Sequence, residues 1–505
     1  MTRPRVWAPD ASSVVLDRNG APVPMTRAGE WWEAPCELGD GDRYTFALDG
    51  GAPMPDPRSA RQPDGVHDAS AVVTLVPPPS FTPPPLADSI VYELHVGTFT
   101  EGGTFTSAID RLDDLVDLGV TTVEVMPIAA FPGTRGWGYD GVDLYAPHEH
   151  YGGPAGFRAF VDGCHRRGLA VILDVVYNHL GPDGNYLPAF GPYFTDRYET
   201  PWGPALNLDG PGSAEVRAFI VDNALQWLRD YAVDGLRLDA VHALYDQSPT
   251  HVLEELADAA HGLDTPKLVI AEHETLEPRL VDDYGLDGQW FDAFHHALHS
   301  LLTGEQGGYY KGFGTLDRLV AALAVGDVDP SRLVGFAQNH DQIGNRARGE
   351  RLCHLVGPEK QRIAAALVVL GPFTPLLFMG EEWAASTPFQ YFTDHQNPAL
   401  GQAVRDGRRS EFAAFGWKPE DVPDPQNPDT FAASALRWDE RETPPHARML
   451  AFHRDLIALR KANPGPVTVT SPAPNRLEMH RGSLEVRVDL VNNALEIGGS
   501  GYGHP

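Results

Sequence analysis

From residue 86 onward the chain alternates short apolar runs with amphipathic stretches, and it does so eight times. The runs are IVYELHV at 90–96, TTVEVMPI at 121–128, LAVILDVVYN at 169–178, VDGLRLDAV at 233–241, KLVIAEHE at 267–274, GQWFDAF at 288–294, LVGFAQNHD at 333–341 and TPLLFMGEEW at 374–383. Parallel strands are buried on both faces, so they read as near-continuous apolar runs, and each needs a crossover to reach the next. Stretches such as FTSAIDRLDDLVDLG at 105–119, SAEVRAFIVDNALQWLRDYA at 213–232 and ARMLAFHRDLIALRKAN at 447–463 carry helical periodicity. Eight such units predict an α/β fold, a (β/α)8 TIM barrel with its active site at the C-terminal strand ends.

The flanks have a different rhythm. RVWAPD, SVVLD, WWEAP, RYTFAL and AVVTL alternate with Gly, Asp and Pro turns, which predicts a β-sandwich over 1–85 of the kind carbohydrate-binding modules use. VPPPSFTPPPLADS at 76–89 holds six prolines and can be neither helix nor central strand, so it marks the boundary. The catalytic barrel with rim-loop insertions is expected over 86–463. VTVTS, RLEMHR, SLEVRVDL and NALEIG then predict a small C-terminal β domain over 464–505.

A chain of 505 residues exceeds one hydrophobic core, which agrees with several domains. With 69 Asp and Glu against 39 Lys and Arg, its formal charge of −30 would repel nucleic acid and anionic membrane. A neutral partner such as a sugar suits it better. Cys36, Cys164 and Cys353 are odd in number and in no metal-ligand spacing, so they are expected to be reduced thiols of a cytoplasmic protein. The start MTRPRVWAPDASS lacks the apolar core of a signal peptide, and no run of about 18 apolar residues predicts a membrane span.

Three of the apolar runs end in carboxylates: Asp239 in GLRLDAVH, Glu272 in VIAEHE and Asp341 in AQNHDQ. Barrel strands would deliver all three to one rim, where an acid and a nucleophile can face each other across a glycosidic bond. Arg237 stands two residues before Asp239, hence on the same strand face, and is expected to keep it ionised. The apolar residues before Glu272 favour a protonated acid, although Glu274 shares its strand face and spacing leaves both open. In DVVYNH, Asp174 would point into the barrel and His179 into the cleft, while His340 and Asp341 could hold two hydroxyls of a distorted ring.

Taken together, DVVYNH, GLRLDAVH, the Glu of the fifth run and NHD resemble the four signature regions of the α-amylase superfamily of retaining glycoside hydrolases (family 13). The resemblance implies that Asp239 is the nucleophile, Glu272 the general acid and base, and Asp341 the transition-state stabiliser. It places Arg237, His179 and His340 at the subsite of the cleaved sugar, with His242 as a further substrate-binding residue. GWGYDG at 136–141 resembles the loop after strand 2, which implies that Tyr139 stacks on that sugar beside Asp140. DPRSARQPDGVH at 56–67, PWGPALNLDG at 201–210, MGEEW and TPFQYFTDH within 379–395, and FGW at 415–417 resemble one trehalose-releasing branch of the superfamily. That implies cleavage of the α-1,4 bond next to the trehalose end of a maltooligosyltrehalose. Two segments depart from the branch: HETLEPR at 273–279 stands where it carries a small residue and then Asp, and the C-terminal β domain is short.

Aromatic faces stack on pyranose C–H faces, and Trp137, Tyr139, Phe389, Tyr391 and Phe392 are the candidate platforms. Trp31, Trp32, Trp227 and Trp383 sit in strand or helix patterns and are expected in the core. His148, Glu149 and His150 read as loop hydrogen-bonding groups, and neither metal nor cofactor is expected, because a carboxylate pair needs none. A branching or debranching α-glucan enzyme would share the same carboxylates, and its product would distinguish it. A non-catalytic glucan-binding protein would be free to lose Asp239, Glu272 or Asp341, and all three are present. The sequence leaves the oligomeric state open.

Overall fold

The computed structural model describes residues 1–326, 328–413 and 418–498, so the FGW segment lies outside the described residues. All eight runs form strands: β1 Val91–Leu94, β2 Thr122–Val125, β3 Ala170–Val175, β4 Gly235–Leu238, β5 Leu268–Ala271, β6 Gly288–Trp290, β7 Leu333–Phe336 and β8 Thr374–Phe378. They pair in chain order, every pair parallel, and β8 closes on β1 through Leu376 opposite Val91. The expected 105–119 helix is split into Phe105–Ile109 and Leu112–Leu118, the first capped by the Thr104 hydroxyl accepting from the Ser107 N–H. The 213–232 stretch is helical over Ser213–Leu225 and continues as a π-helical segment, Gln226–Asp230. The last helix spans His446–Ala462.

Period-2 alternation decides what fills the barrel. Val91, Ile172, Ile270, Trp290, Val334, Phe336 and Leu376 pack as one apolar cluster. Stepping two residues toward the strand ends from Val91, Ile172 and Ile270 gives Glu93, Asp174 and Glu272; the same step from Arg237 gives Asp239, and from Trp290 gives Asp292. An apolar floor therefore supports a layer of charged groups, and the low dielectric beneath that layer strengthens every interaction in it.

Two small antiparallel sheets precede the barrel. One holds Arg5–Trp7, Trp31–Glu33 and Thr26–Ala28; the other holds Ala21–Pro24, Val14–Arg18, Arg43–Leu48 and Ser70–Ala71. Residues 76–85 carry no regular structure, and Phe81 of that stretch stacks on His165, ring centroids 4.1 Å apart. Arg58 ties the first sheets to the barrel by donating to the Tyr145 hydroxyl and to Asp222, each at 2.8 Å. Four strands, Val467–Ala473, Arg476–Arg481, Leu484–Asp489 and Ala494–Gly498, form the last sheet.

Trp32, Trp227 and Trp383 are buried, and Trp31 is half-buried beneath Arg5 while donating to Glu215 at 3.2 Å. The three cysteines are free thiols. Among the described residues no helix is long and apolar enough to cross a membrane.

Candidate active site

Register brings the acids together. Leu238 of β4 stands opposite Ala271 of β5, so the next residues, Asp239 and Glu272, leave neighbouring strands at one level. The Arg237 guanidinium, fully buried, lies between them: Nη1 donates to Asp239 Oδ1 at 3.0 Å, and Nη2 is 3.5 Å from Glu272 Oε2. Nη1 also donates to both oxygens of Asp174, at 2.9 and 2.7 Å, and Trp290 lies under the guanidinium 4.2 Å from its ring centroid. Three carboxylates around one buried cation offset its desolvation, and removing the cation would leave them uncompensated at about 3–5 kcal/mol.

Ala240 holds Glu272 in place. Its backbone is left-handed, φ 41° and ψ 51°, which costs a non-glycine residue about 1–2 kcal/mol. The strain aims its N–H at Glu272 Oε2, 2.6 Å away. Glu274, the rival acid, lies beyond the end of β5 with 75% of its side chain exposed, against 15% for Glu272, and pairs with His242 at 3.5 Å. Glu272 is therefore the acid that faces Asp239.

Burial pushes the Asp239 carboxyl up, and Arg237 opposes that push without overcoming it. Arg237 is the cation expected beside Asp239, and it favours the carboxylate against the opposing push of desolvation and of the nearby Asp341. Glu272 is raised by burial and by the charges of Asp239 and Asp341, with Arg237 opposing. An upward shift is the direction that favours a proton donor.

His340 closes the far side. Burial would lower its pKa, but Asp341 and Glu93 outweigh burial and bring it to about 9, so it is an imidazolium at neutral pH. Its Nδ1 pairs with Glu93 of β1, its Nε2 lies 2.7 Å from the Tyr139 hydroxyl and 3.5 Å from Asp341 Oδ1, and Tyr139 also donates to Asp174. Asp341 keeps 38% of its side chain exposed and accepts from Asn345 at 3.2 Å. His179 Nε2 meets the Tyr139 carbonyl at 2.9 Å, and Asp140 follows at the cleft wall, 3.8 Å from His395.

Burial separates the aromatic candidates. Phe389 and Phe392 are fully buried around His95, and Trp137 is nearly so, stacked on Phe389 and edge-on to His340 with centroids 5.6 Å apart. These three are not open platforms, because segments far apart in sequence pack them against one another. Trp137 backs His340 instead. Tyr391, half-buried, stands edge-on to Trp137 beneath Arg408. A Cβ at Gly344 would come within 2.0 Å of the Trp137 ring. Gly344→Ala is therefore expected to cost about 1–3 kcal/mol of stability and to lower kcat/KM by displacing the support of His340, read by thermal melting and initial rates.

Two residues escaped the sequence reading. Trp202, 46% exposed, stacks on His179 with centroids 5.1 Å apart and lies 6.5 Å from His242. Asp292 follows Trp290 on the inward face of β6, between β5 and β7, and the step of two that links Arg237 to Asp239 could have found it.

His148 is buried against Phe131 and Glu149 pairs with Arg61, so that triplet builds loop structure. Among the described residues one group could hold a metal ion, Glu478, His480 and Glu485, and Arg487 already pairs with both acids, at 3.6 and 2.7 Å.

Residues 61–190 match the model of the alpha amylase catalytic domain. The malto-oligosyltrehalose trehalohydrolase of Arthrobacter ramosus is 51% identical, over 96% of this chain and 92% of its own. The chain belongs to the malto-oligosyltrehalose trehalohydrolase family. The enzyme of that name from Mycobacterium tuberculosis is 46% identical over 90% of this chain and 85% of its own. A crystal structure of a putative alpha amylase from Salmonella typhimurium superimposes with a TM-score of 0.89 at 38% identity, covering 96% of this chain and 90% of that one. The protein is thus a glycoside hydrolase of the α-amylase type, and the barrel it shares with these relatives carries the carboxylates at the expected rim.

Proposed function

We propose that this hydrolase cleaves the α-1,4 bond between a maltooligosaccharide and trehalose, with retention of configuration, Asp239 acting as nucleophile, Glu272 as acid and base, and Asp341 as stabiliser. The carrying observation is the single Arg237 guanidinium that contacts both Asp239 and Glu272. One planar cation bridging two carboxylates keeps them at close quarters, as a retaining pair needs. Glu272 protonates the glycosidic oxygen as Asp239 forms a glycosyl ester and trehalose departs. Glu272 then takes a proton from the water that breaks the ester and frees the maltooligosaccharide. Arg237, His340 and Tyr139 orient these groups, and His179, His242, Asp140, Tyr391 and Trp202 line the sugar path. The partner is a neutral oligosaccharide and neither nucleic acid nor membrane.

The same reading divides the chain into a β-sandwich over 1–85, the catalytic barrel over 86–463 and a C-terminal β domain from 464, and the free thiols suit a cytoplasmic enzyme. The test is chromatography of the sugars released from maltotriosyltrehalose, maltopentaose and amylopectin. Free trehalose from the first with little cleavage of the others is expected; branching or hydrolysis of the plain glucans without trehalose release overturns the specificity.

A further inference from the structure

Asp292 is the first residue of the helix Asp292–Thr303 and the inward-facing residue at the end of β6. β5 and β7 flank that strand, so Glu272 and Asp341 stand on its two sides. Its Oδ1 is 3.5 Å from the Gln342 side-chain nitrogen, next to Asp341 in the chain. A helix N-terminus favours a carboxylate. Burial first, and then the charges of Glu272 and Asp341, outweigh that preference and the attraction of Arg237, and bring Asp292 to about 7. From its own helix it meets no cation at neutral pH: burial lowers His295 and His296, the latter to about 4, so both rings are neutral.

A fourth carboxyl here has a chemical consequence. The bond is broken beside Glu272, so the leaving sugar departs on the side of β5 and β6, away from the loops that carry Tyr139 and His179. We propose that Asp292 is a specificity residue of the leaving-group side: it hydrogen-bonds a hydroxyl of the departing trehalose and, by its charge, helps Glu272 keep its proton until bond cleavage. The proposal rests on the trehalose-releasing reading above. Near neutral pH the carboxyl can donate or accept, so either orientation of a sugar hydroxyl is served. The other groups around Glu272 are Arg237, Asp239, Asp341 and the Ala240 amide, and Glu274 next in the loop is turned out to His242. Among these carboxylates Asp292 alone occupies the β6 side.

The test compares wild type with Asp292→Asn and Asp292→Glu on maltotriosyltrehalose and maltopentaose across pH. Asp292→Asn removes a negative charge beside Glu272, so the acid loses its proton earlier and the alkaline limb of kcat/KM moves to lower pH. Loss of one hydrogen bond in the substrate complex should reduce the preference for the trehalose substrate about tenfold. Asp292→Glu keeps the charge and should hold the limb near its wild-type position. An unmoved alkaline limb in Asp292→Asn overturns the charge coupling. A moved limb with an unchanged preference overturns the contact with the leaving sugar. Should wild type cleave maltopentaose as readily as maltotriosyltrehalose, the trehalose reading itself falls, and the limb can still be read on maltopentaose.

Discussion

Asp239→Asn is expected to lower kcat by about 10⁴-fold or more while leaving glucan binding close to wild type. An amide of the same shape cannot form the glycosyl ester, and removal of a covalent nucleophile costs about 10⁴ to 10⁶ in other hydrolases. Binding should survive because Tyr139, His179, His340 and Asp341 are placed independently of the lost charge. Arg237 keeps Asp174 and Glu272 as partners, so the fold is not left with an unpaired cation. Initial rates on maltotriosyltrehalose together with calorimetric binding of a maltooligosaccharide check both halves. Activity within tenfold of wild type would remove Asp239 from the nucleophile role.

Glu272→Gln tests the other half of the pair and is expected to lower kcat on maltotriosyltrehalose by about 10²- to 10⁴-fold. The amide keeps a group near the Ala240 N–H but has no proton to give to a sugar oxygen. A maltooligosyl fluoride, whose leaving group needs no proton, should still form the glycosyl ester in this variant. Its ester should then accumulate, because the base that activates water is missing as well. Equal losses on both substrates would contradict the acid role, and burst kinetics of fluoride release make the comparison. The raised pKa of Glu272, caused first by burial, predicts that wild-type activity falls on the alkaline side as this proton is lost.

Much of this was legible in the sequence because a parallel barrel writes itself plainly. Strands covered on both faces must be apolar, and the residues that follow their inward positions are free to be charged, so the runs leading to Asp239, Glu272 and Asp341 carried the fold and pointed to the rim where the structure places these carboxylates. β6 has only three residues, Gly288–Trp290, too short for a clear apolar run, and Asp292 went unnoticed at its end. The burial of Trp137 by Phe389 joins segments about 250 residues apart, which no local pattern encodes. Trp202 sits on a hairpin, Phe194–Thr200 with Gly203–Leu206, whose docking onto His179 is likewise tertiary. The balance at Asp239 was beyond spacing for a different reason. Its sign depends on whether desolvation or Arg237 is larger, and only the depth of burial decides that.

Proton NMR of maltotriosyltrehalose hydrolysis in its first minutes tests the Asp239 and Glu272 pair most directly, since it reads the anomer of the released maltooligosaccharide before mutarotation. The α anomer appearing first, together with free trehalose, is the result that double displacement predicts. The β anomer appearing first would mean direct attack by water, and Asp239 could not then be the nucleophile.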